Sequence, residues 1–370
     1  MKFSCDKDIL LREISIAQEI ISSRNSLSIL SNVYLEVKEN RLYIKATDLK
    51  VSFETDITVE AVLPGSITVF CDKLLGVLRS LPPGEVEFEL KDNTLLYIKP
   101  LLKKIDFQLK SIAADKYPEI KSIPKERYFN FPQKEFIDMV SKTSFAVSDD
   151  ETRYFMNGVF FERSNQKLLM VATDGRRLSC ISKEIDLEVK FEGMKGIIIP
   201  TKILILSRKL LSGEGNFSIA LGDKNIFLKS NNHKLSSNLI DGQFPNYERV
   251  IPEKQEYSAI VEKFTFIEAL KRVSLLVEHK SNRIFLSFEN DILTVNSSEG
   301  EIGKATEEIP CQYKGPEVTI AVNYQYIIDP LREMEEDQVL IQFTETDKAM
   351  TIRPEPAKDF FHIVMPMQTG

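Results

Sequence analysis

Cysteine and histidine are scarce in this chain, and the few present are scattered. Its four cysteines, Cys5, Cys71, Cys180 and Cys311, form no CxxC pair and lie in or beside apolar stretches. That disfavours a disulfide framework or a thiolate metal site and suits small buried hydrophobes in a reducing compartment. The three histidines, His233, His279 and His362, lie more than 40 residues apart and share no metal-ligand spacing. No glycine-rich phosphate loop occurs; Gly213-Glu214-Gly215 precedes a strand pattern and is expected to be a hairpin turn. Nothing assembles a nucleophile, a base and an orienting third group, so no catalytic residues, metal or cofactor are expected. No apolar run approaches the roughly 18 residues of a membrane span. Charge comes too early at the N-terminus for a secretion signal, so a cytoplasmic protein without membrane contact is expected. Positive charge is in deficit as well. A formal net charge of −7 argues against a nucleic-acid partner, although net charge does not report how charge is shared between faces.

What the chain does have is repetition. In 370 residues, 43% apolar and 28% charged, the same series of patterns occurs three times. An apolar-striped helix is expected over Lys7–Ser23, Gln133–Ser148 and Val261–Lys280. A strand then closes on a small polar turn, at Ala46-Thr47-Asp48, Ala172-Thr173-Asp174 and, more loosely, Asn296-Ser297-Ser298. A second helix is expected at Asp72–Leu81, Thr201–Leu211 and Asn323–Glu336. Two strands end each series: Leu95–Lys99 with Ile105–Leu109, Asn225–Lys229 with Lys234–Leu239, and Met350–Arg353 with Phe360–Val364. The period is domain-sized, since 126 positions separate Asp48 from Asp174 and 127 separate Pro118 from Pro245.

Proline marks the boundaries. Tyr117-Pro118 to Ile123-Pro124 and Phe244-Pro245 to Ile251-Pro252 read as extended connectors, because each proline removes a backbone donor and biases its predecessor away from helix. The expected modules are residues 1–124, 125–252 and 253–370. Alternation in Arg41–Ala46 and Glu85–Leu90 marks half-buried strands. The fold class is α+β, each module two helices packed on antiparallel sheet. The acidic run Glu333-Met334-Glu335-Glu336-Asp337 reads as solvated surface at a helix end. Two features break the symmetry between repeats: the paired Arg176 and Arg177 in the second turn, and the apolar tail Ile363-Val364-Met365-Pro366-Met367-Gln368.

Several runs together resemble the bacterial sliding-clamp family, the beta subunits of DNA polymerase III. They are Ile29-Leu30-Ser31-Asn32, Arg153-Tyr154-Phe155-Met156-Asn157-Gly158, Val171-Ala172-Thr173-Asp174-Gly175, Asp241-Gly242-Gln243-Phe244-Pro245-Asn246-Tyr247 and the closing Val364-Met365-Pro366-Met367. The resemblance implies a non-catalytic processivity factor: a head-to-tail homodimer, each chain half of a ring around double-stranded DNA, without sequence preference. It also implies peptide-mediated recruitment of the clamp loader, replicative and repair polymerases, mismatch-repair proteins and ligase. Two rival classes remain: a modular protein-binding scaffold that ignores DNA, and a nucleotide- or nucleic-acid-processing enzyme, which would need a spatial cluster that the sequence does not display.

Carried over position by position, the partner pocket comprises Met156, Thr173, Gly175, Arg176, Arg177, Leu178, Pro245, Arg249, Val250, Asn323, Tyr326, Ile363, Val364, Met365, Pro366 and Met367. Two departures stand out: Arg176 takes a position where many members have His, and Gln368-Thr369-Gly370 replaces a basic-apolar ending. DNA-facing residues are expected at Arg24, Lys73, Arg79, Lys202 and Arg208, with Tyr154 and Phe155 on a nearby loop. An edge strand carrying Phe107 and Leu109, preceded by Lys103 and Lys104, is expected to meet Leu275 and Leu276 of a second copy, with acids among Glu299, Glu301, Glu307 and Glu308. Arg177 is expected to act as a rim charge. The helix over Asn323–Glu336, acidic and containing Pro330, has no evident role in a DNA-facing wall.

Overall fold

A strand delivers the chain directly into each of six helices. The computed structural model describes residues 1–370 except 22–27, 124–126, 165–166, 186–195, 279, 298–302 and 369–370. Lys2–Asp6 runs into α1 (Lys7–Ile20), Gly65–Phe70 into α2 (Cys71–Ser80) and Phe129–Pro132 into α3 (Gln133–Ser141). Ile197–Pro200 runs into α4 (Thr201–Leu210), Tyr257–Glu262 into α5 (Lys263–Ser274) and Val318–Asn323 into α6 (Tyr324–Glu333). Side-chain caps make several of these switches. Asp6 accepts from the backbone N–H of Asp8 and Ile9 at 2.8 and 3.0 Å, and Glu262 from those of Phe264 and Thr265 at 3.0 and 2.6 Å. Asn323 accepts from Gln325 N–H at 2.9 Å. Each satisfies N–H groups that a helix start leaves without a partner. Helical spacing then buries Leu10, Ile14 and Ala17 of α1 and Phe266, Ala269, Leu270 and Val273 of α5.

Sequence periodicity overran four helices, among them α6, which stops at Glu333 rather than Glu336. Helix α1 stops at Ile20, and the expected end at Ser23 lies outside the described residues. Helix α3 stops at Ser141, where Thr143 Oγ1 donates to the Met139 carbonyl at 2.7 Å and the chain tightens into the 3-10 turn Ser144–Ala146. Ser274 closes α5 similarly, donating to Lys271 O at 2.8 Å. Hydroxyls that bond the backbone locally compete with helix continuation. Gly213-Glu214-Gly215 joins α4 to the strand Asn216–Leu221 rather than turning a hairpin, with φ of 86° at Gly213 and 67° at Gly215.

The described residues divide into two units. Residues 1–134 and 202–239 surround a 13-stranded antiparallel sheet. Its order is Phe129–Pro132, Asn216–Leu221, Asn225–Ser230, His233–Asn238, Val51–Thr58, Arg41–Thr47, Asn32–Lys38, Gly65–Phe70, Phe107–Ile112, Leu95–Pro100, Glu85–Lys91, Lys2–Asp6, Glu60–Leu63. Most of the remaining described residues form the second unit, on a 12-stranded antiparallel sheet. Its order is Ile197–Pro200, Gly158–Ser164, Lys167–Thr173, Arg177–Glu184, Phe360–Val364, Met350–Glu355, Gln338–Phe343, Tyr257–Glu262, Thr306–Tyr313, Ile292–Ser297, Arg283–Glu289, Val318–Asn323. The middle repeat has no sheet of its own; four of its strands join each sheet.

One joint occurs twice. Val51–Thr58 pairs with His233–Asn238, the last strand of the next repeat, with Glu54 opposite Lys234 and Val51 opposite Ser237. Arg177–Glu184 pairs with Phe360–Val364 in the same way, from Arg177 opposite Val364 to Ile181 opposite Phe360. Among the described residues, the corresponding strand of the third repeat, Thr306–Tyr313, has Thr306–Pro310 paired only with Ile292–Asn296. Likewise among the described residues, the last strand of the first repeat has Phe107–Lys110 paired only with Leu95–Ile98. Phe107 and Leu109 thus lie on a half-open interior strand rather than on the edge strand expected from sequence.

All four cysteines are buried and unpaired. Burial pushes the thiols of Cys5, Cys71 and Cys180 up to about 12 and that of Cys311 to about 11, so none is a thiolate near neutrality. Among the described residues no group of His, Cys, Asp and Glu could hold a metal ion, and no helix is long and apolar enough to cross a membrane.

Candidate peptide-binding groove

The second repeat's polar turn is built like the first. Asp174 Oδ1 accepts from Arg176 and Arg177 N–H at 2.8 and 2.9 Å, while Thr173 Oγ1 donates to Arg177 O at 2.6 Å and accepts from Gly175 N–H at 3.0 Å. Asp48 and Thr47 make the same bonds to Lys50, Val51 and Leu49. Such side-chain-to-backbone bonds explain why Thr-Asp recurs here. The third residue lies in the left-handed region, φ 73° at Leu49 and 86° at Gly175. At Gly175 a Cβ would also come within 2.9 Å of the Arg153 guanidinium, so glycine suits the site twice over.

Arg177 is an interior strut, not a rim charge. Only 11% of its side chain is exposed. Its Nε donates to Asp174 Oδ2 at 3.1 Å, Nη1 to Asp329 Oδ2 of α6 at 2.7 Å and Nη2 to the Phe145 carbonyl at 2.5 Å. The Tyr326 ring of α6 lies 4.7 Å from the guanidinium carbon. Few residues other than arginine can fork to three acceptors and stack at once. Behind it sits His362, fully buried; burial, then the Arg177 charge, hold it down to about 3. The Tyr326 carbonyl, which Pro330 cannot serve four residues on because it has no N–H, lies beside that ring without making a well-formed hydrogen bond.

In front of the strut opens a groove with a cavity of about 120 Å³, lined by Met156, Thr173, Gly175, Arg176, Arg177, Leu178, Pro245, Asn246, Tyr247, Val250, Ile363 and Met365. Leu178, Tyr247 and Ile363 belong to a buried cluster with Val171, Cys180, Ile198 and Phe244. Tyr247 Oη donates to Glu162 at 2.6 Å, and burial with that carboxylate pushes the phenol far above its usual range. Exposed apolar rims are supplied by Val250 and Met365, 47% and 40% accessible. The tail is held by backbone: Met365 N–H donates to Arg176 O at 2.9 Å and Met367 N–H to Ala321 O at 2.7 Å.

Ten of the sixteen expected pocket residues line this cavity. Arg249 is exposed nearby, Val364 is wholly buried, Tyr326 stacks behind Arg177 and Asn323 caps α6. Pro366 and Met367 follow the tail to the Val318–Asn323 strand and do not line the cavity. Asn246 and Tyr247 do line it, although sequence reading passed over them. Their place beside Pro245 was the available signal.

The expected DNA-facing residues separate as clearly. Lys202 Nζ donates to Asp48 Oδ2 and to the Ile20 carbonyl, both at 2.6 Å, and Lys209 to Glu19 at 2.7 Å. Two of the three cations on α4 are therefore taken up by local carboxylates, leaving Arg208 exposed; Lys73 and Arg79 are exposed on α2. Tyr154 and Phe155 lie in the 3-10 segment Glu151–Met156 rather than a loop, with Tyr154 exposed and Phe155 against the buried cluster. Arg24, Glu299 and Glu301 lie outside the described residues. The acidity of α6 and its following turn is partly internal too: Asp329 faces Arg177 and Glu336 pairs with Lys358. Leu275, 81% exposed, follows α5, whose Arg272 grips Glu307 at 2.5 and 2.8 Å, while Leu276 is half-buried and Glu308, Lys103 and Lys104 are exposed.

Three family models match in register: the N-terminal domain of the DNA polymerase III beta subunit over residues 1–121, its central domain over 130–246 and its C-terminal domain over 248–368. The beta sliding clamp of Treponema pallidum is 43% identical over 373 residues, and that of Pseudomonas putida 30% over 371, each match spanning all of both chains. A sliding clamp from Bartonella birtlesii bound to griselimycin superposes with a TM-score of 0.93 and one from Bacillus subtilis with 0.92, both 27% identical and covering all of both chains. With these matches along its whole length, the repeats and the groove take their place: the chain belongs to the DNA polymerase III beta subunit family, the bacterial beta sliding clamps.

Proposed function

We propose that two copies close head to tail into a ring around duplex DNA and hold the replicative polymerase on its template. The observation that carries this reading is the joint made twice and left open twice. Within the chain, the last strand of each later repeat adds to the sheet of the repeat before it; among the described residues, Phe107–Lys110 and Thr306–Pro310 are the corresponding strand segments without that partner. Pairing them between two copies repeats the joint a third time and closes the assembly. Leu275 and Leu276 would then be covered, and Lys103 and Lys104 would meet the acidic side of Glu308.

Arg208, Lys73 and Arg79, with Tyr154, are the exposed candidates for facing DNA; Lys202 serves structure. A sliding protein should meet phosphates rather than base edges, since bidentate base contacts would add barriers of about 1–3 kcal/mol each. The groove docks short peptides of polymerases, clamp loader, mismatch-repair proteins and ligase, with apolar anchors between Leu178, Ile363, Val250 and Met365. The module boundaries are those at residues 124 and 252, and the compartment is the cytoplasm. The deciding experiment loads the protein on nicked circular DNA and then linearises it. Retention on the circle and loss from the free ends is expected; equal behaviour on both would favour a scaffold that ignores DNA.

A further inference from the structure

The groove's shape depends on residues that line no part of it. We propose that Asp329, together with the Phe145 carbonyl, is a positioning residue for the groove, acting through Arg177. The inference rests on the groove being the peptide site and adds how that site is held open.

The wall from Thr173 to Leu178 is a turn whose own bonds are short-range: two from Asp174 Oδ1 and two through Thr173 Oγ1. These fix the turn's internal geometry but not its position against the rest of the unit. Backbone ties its C-terminal flank to the last strand, with Met365 N–H donating to Arg176 O and Arg177–Ile181 pairing with Phe360–Val364, and the side chain that leaves the turn adds the anchors to α6 and to the Ser144–Ala146 turn. Arg177 reaches back to α6 through Asp329 and to the 3-10 turn Ser144–Ala146 through Phe145 O, and stacks on Tyr326. Asp329 is 27% exposed at its side chain and does not line the cavity. Charge-assisted bonds of this kind are among the stronger ones available, and a planar fork held at three points has little freedom.

Releasing one of the three ties should let the Gly175–Leu178 wall sample positions in which the groove is misshapen. Apparent affinity then falls by the fraction still competent, even though every ligand-contacting side chain is intact. Losing one charge-assisted bond corresponds to a competent fraction near a tenth, hence about tenfold weaker peptide binding.

The test is a titration of a polymerase-derived clamp-binding peptide carrying one tryptophan. The chain contains none, so indole emission reports binding alone. Asp329→Asn should bind about tenfold more weakly while Asp329→Glu, which keeps the carboxylate, retains most of the affinity. Circular dichroism and sedimentation of Asp329→Asn should match those of the parent. Val250→Asp, in the rim itself, is the control for the groove. If Val250→Asp binds normally, the groove reading fails. If Val250→Asp weakens binding but Asp329→Asn binds like the parent, only the positioning role is overturned. Equal weakening in Asp329→Asn and Asp329→Glu would overturn it as well, because the carboxylate would then not be what holds Arg177.

Discussion

Deleting Met365 to Gly370 should remove peptide binding and also lower stability by a modest, calculable amount. The tail is not merely appended: Met365 N–H bonds Arg176 O and Met367 N–H bonds Ala321 O. At about 1 kcal/mol net for each backbone bond, the loss is about 2 kcal/mol. For a unit of this size each kcal/mol moves the melting temperature by about 2–4 °C, so a fall of about 4–8 °C is expected. Binding suffers more. Met365 lines the cavity together with Leu178 and Val250, and anchors in such grooves carry at least ~2 kcal/mol, roughly thirtyfold in affinity. Met365→Ala separates the two effects, because it keeps both backbone bonds and should melt like the parent while binding poorly. Isothermal calorimetry with the polymerase-derived peptide, beside thermal unfolding, decides the matter. Parental affinity in either variant would refute the reasoning about the wall, and an unchanged melting temperature in the truncation would refute the account of the tail.

Glu13→Ala strips the hydrogen-bond partner, 2.9 Å away, from the buried His233 ring, so urea unfolding should show a loss of about 1–3 kcal/mol; a loss near zero would contradict it. Phe107→Ala with Leu276→Asp should yield monomer in sedimentation velocity, since an unpaired carboxylate buried in the joint costs several kcal/mol; an intact dimer would remove that interface. Arg208→Ala should shorten retention on DNA about equally for all sequences without changing stability, whereas Lys202→Met, which frees Asp48, should lower the melting temperature; the reverse pattern would be decisive against these roles. His362 is held down to about 3 in the folded chain against 6.5 for the free side chain. The unfolded chain thus gains a proton the folded chain refuses, and the stability from neutral His362 is complete above pH 6.5 and drains as pH falls toward 3, by up to about 1.4 kcal/mol per unit. His362→Leu should flatten stability against pH between about 6 and 4, and an unchanged slope would show that another group is responsible.

The threefold repeat, the two helices per module and the strand positions were legible because each is a short-range pattern: period 3.6 or 2, a Thr-Asp turn, an aromatic followed by proline. Helix ends were less so, since Thr143 and Ser274 decide them through single hydroxyl bonds that periodicity does not register. The groove was half legible. Leu178 and Ile363 carry their role in hydrophobicity and position, but Arg177 reads from sequence like any surface arginine. Only folding brings Asp329, 152 residues on, within 2.7 Å of it. Lys202 shows the same limit in reverse. A helix rich in cations suggests a DNA-facing surface until the distance to Asp48 is known.

That the middle repeat divides its strands between two sheets bears on how the chain comes apart. Three similar modules invite the expectation of three independent melting steps, as in a string of beads. Yet the middle one has no sheet of its own to retain once either sheet opens: its strands from Asn216 to Asn238 are continuous with Val51–Thr58, and those from Gly158 to Glu184 with Phe360–Val364. Cooperative blocks should follow the sheets and cut across the repeats, so slow-exchanging amides in Lys167–Thr173 should open together with Met350–Glu355 and separately from Asn225–Ser230. A fragment excised at residues 125 and 252 would carry two half-sheets with raw edges, and would be prone to aggregate rather than to fold.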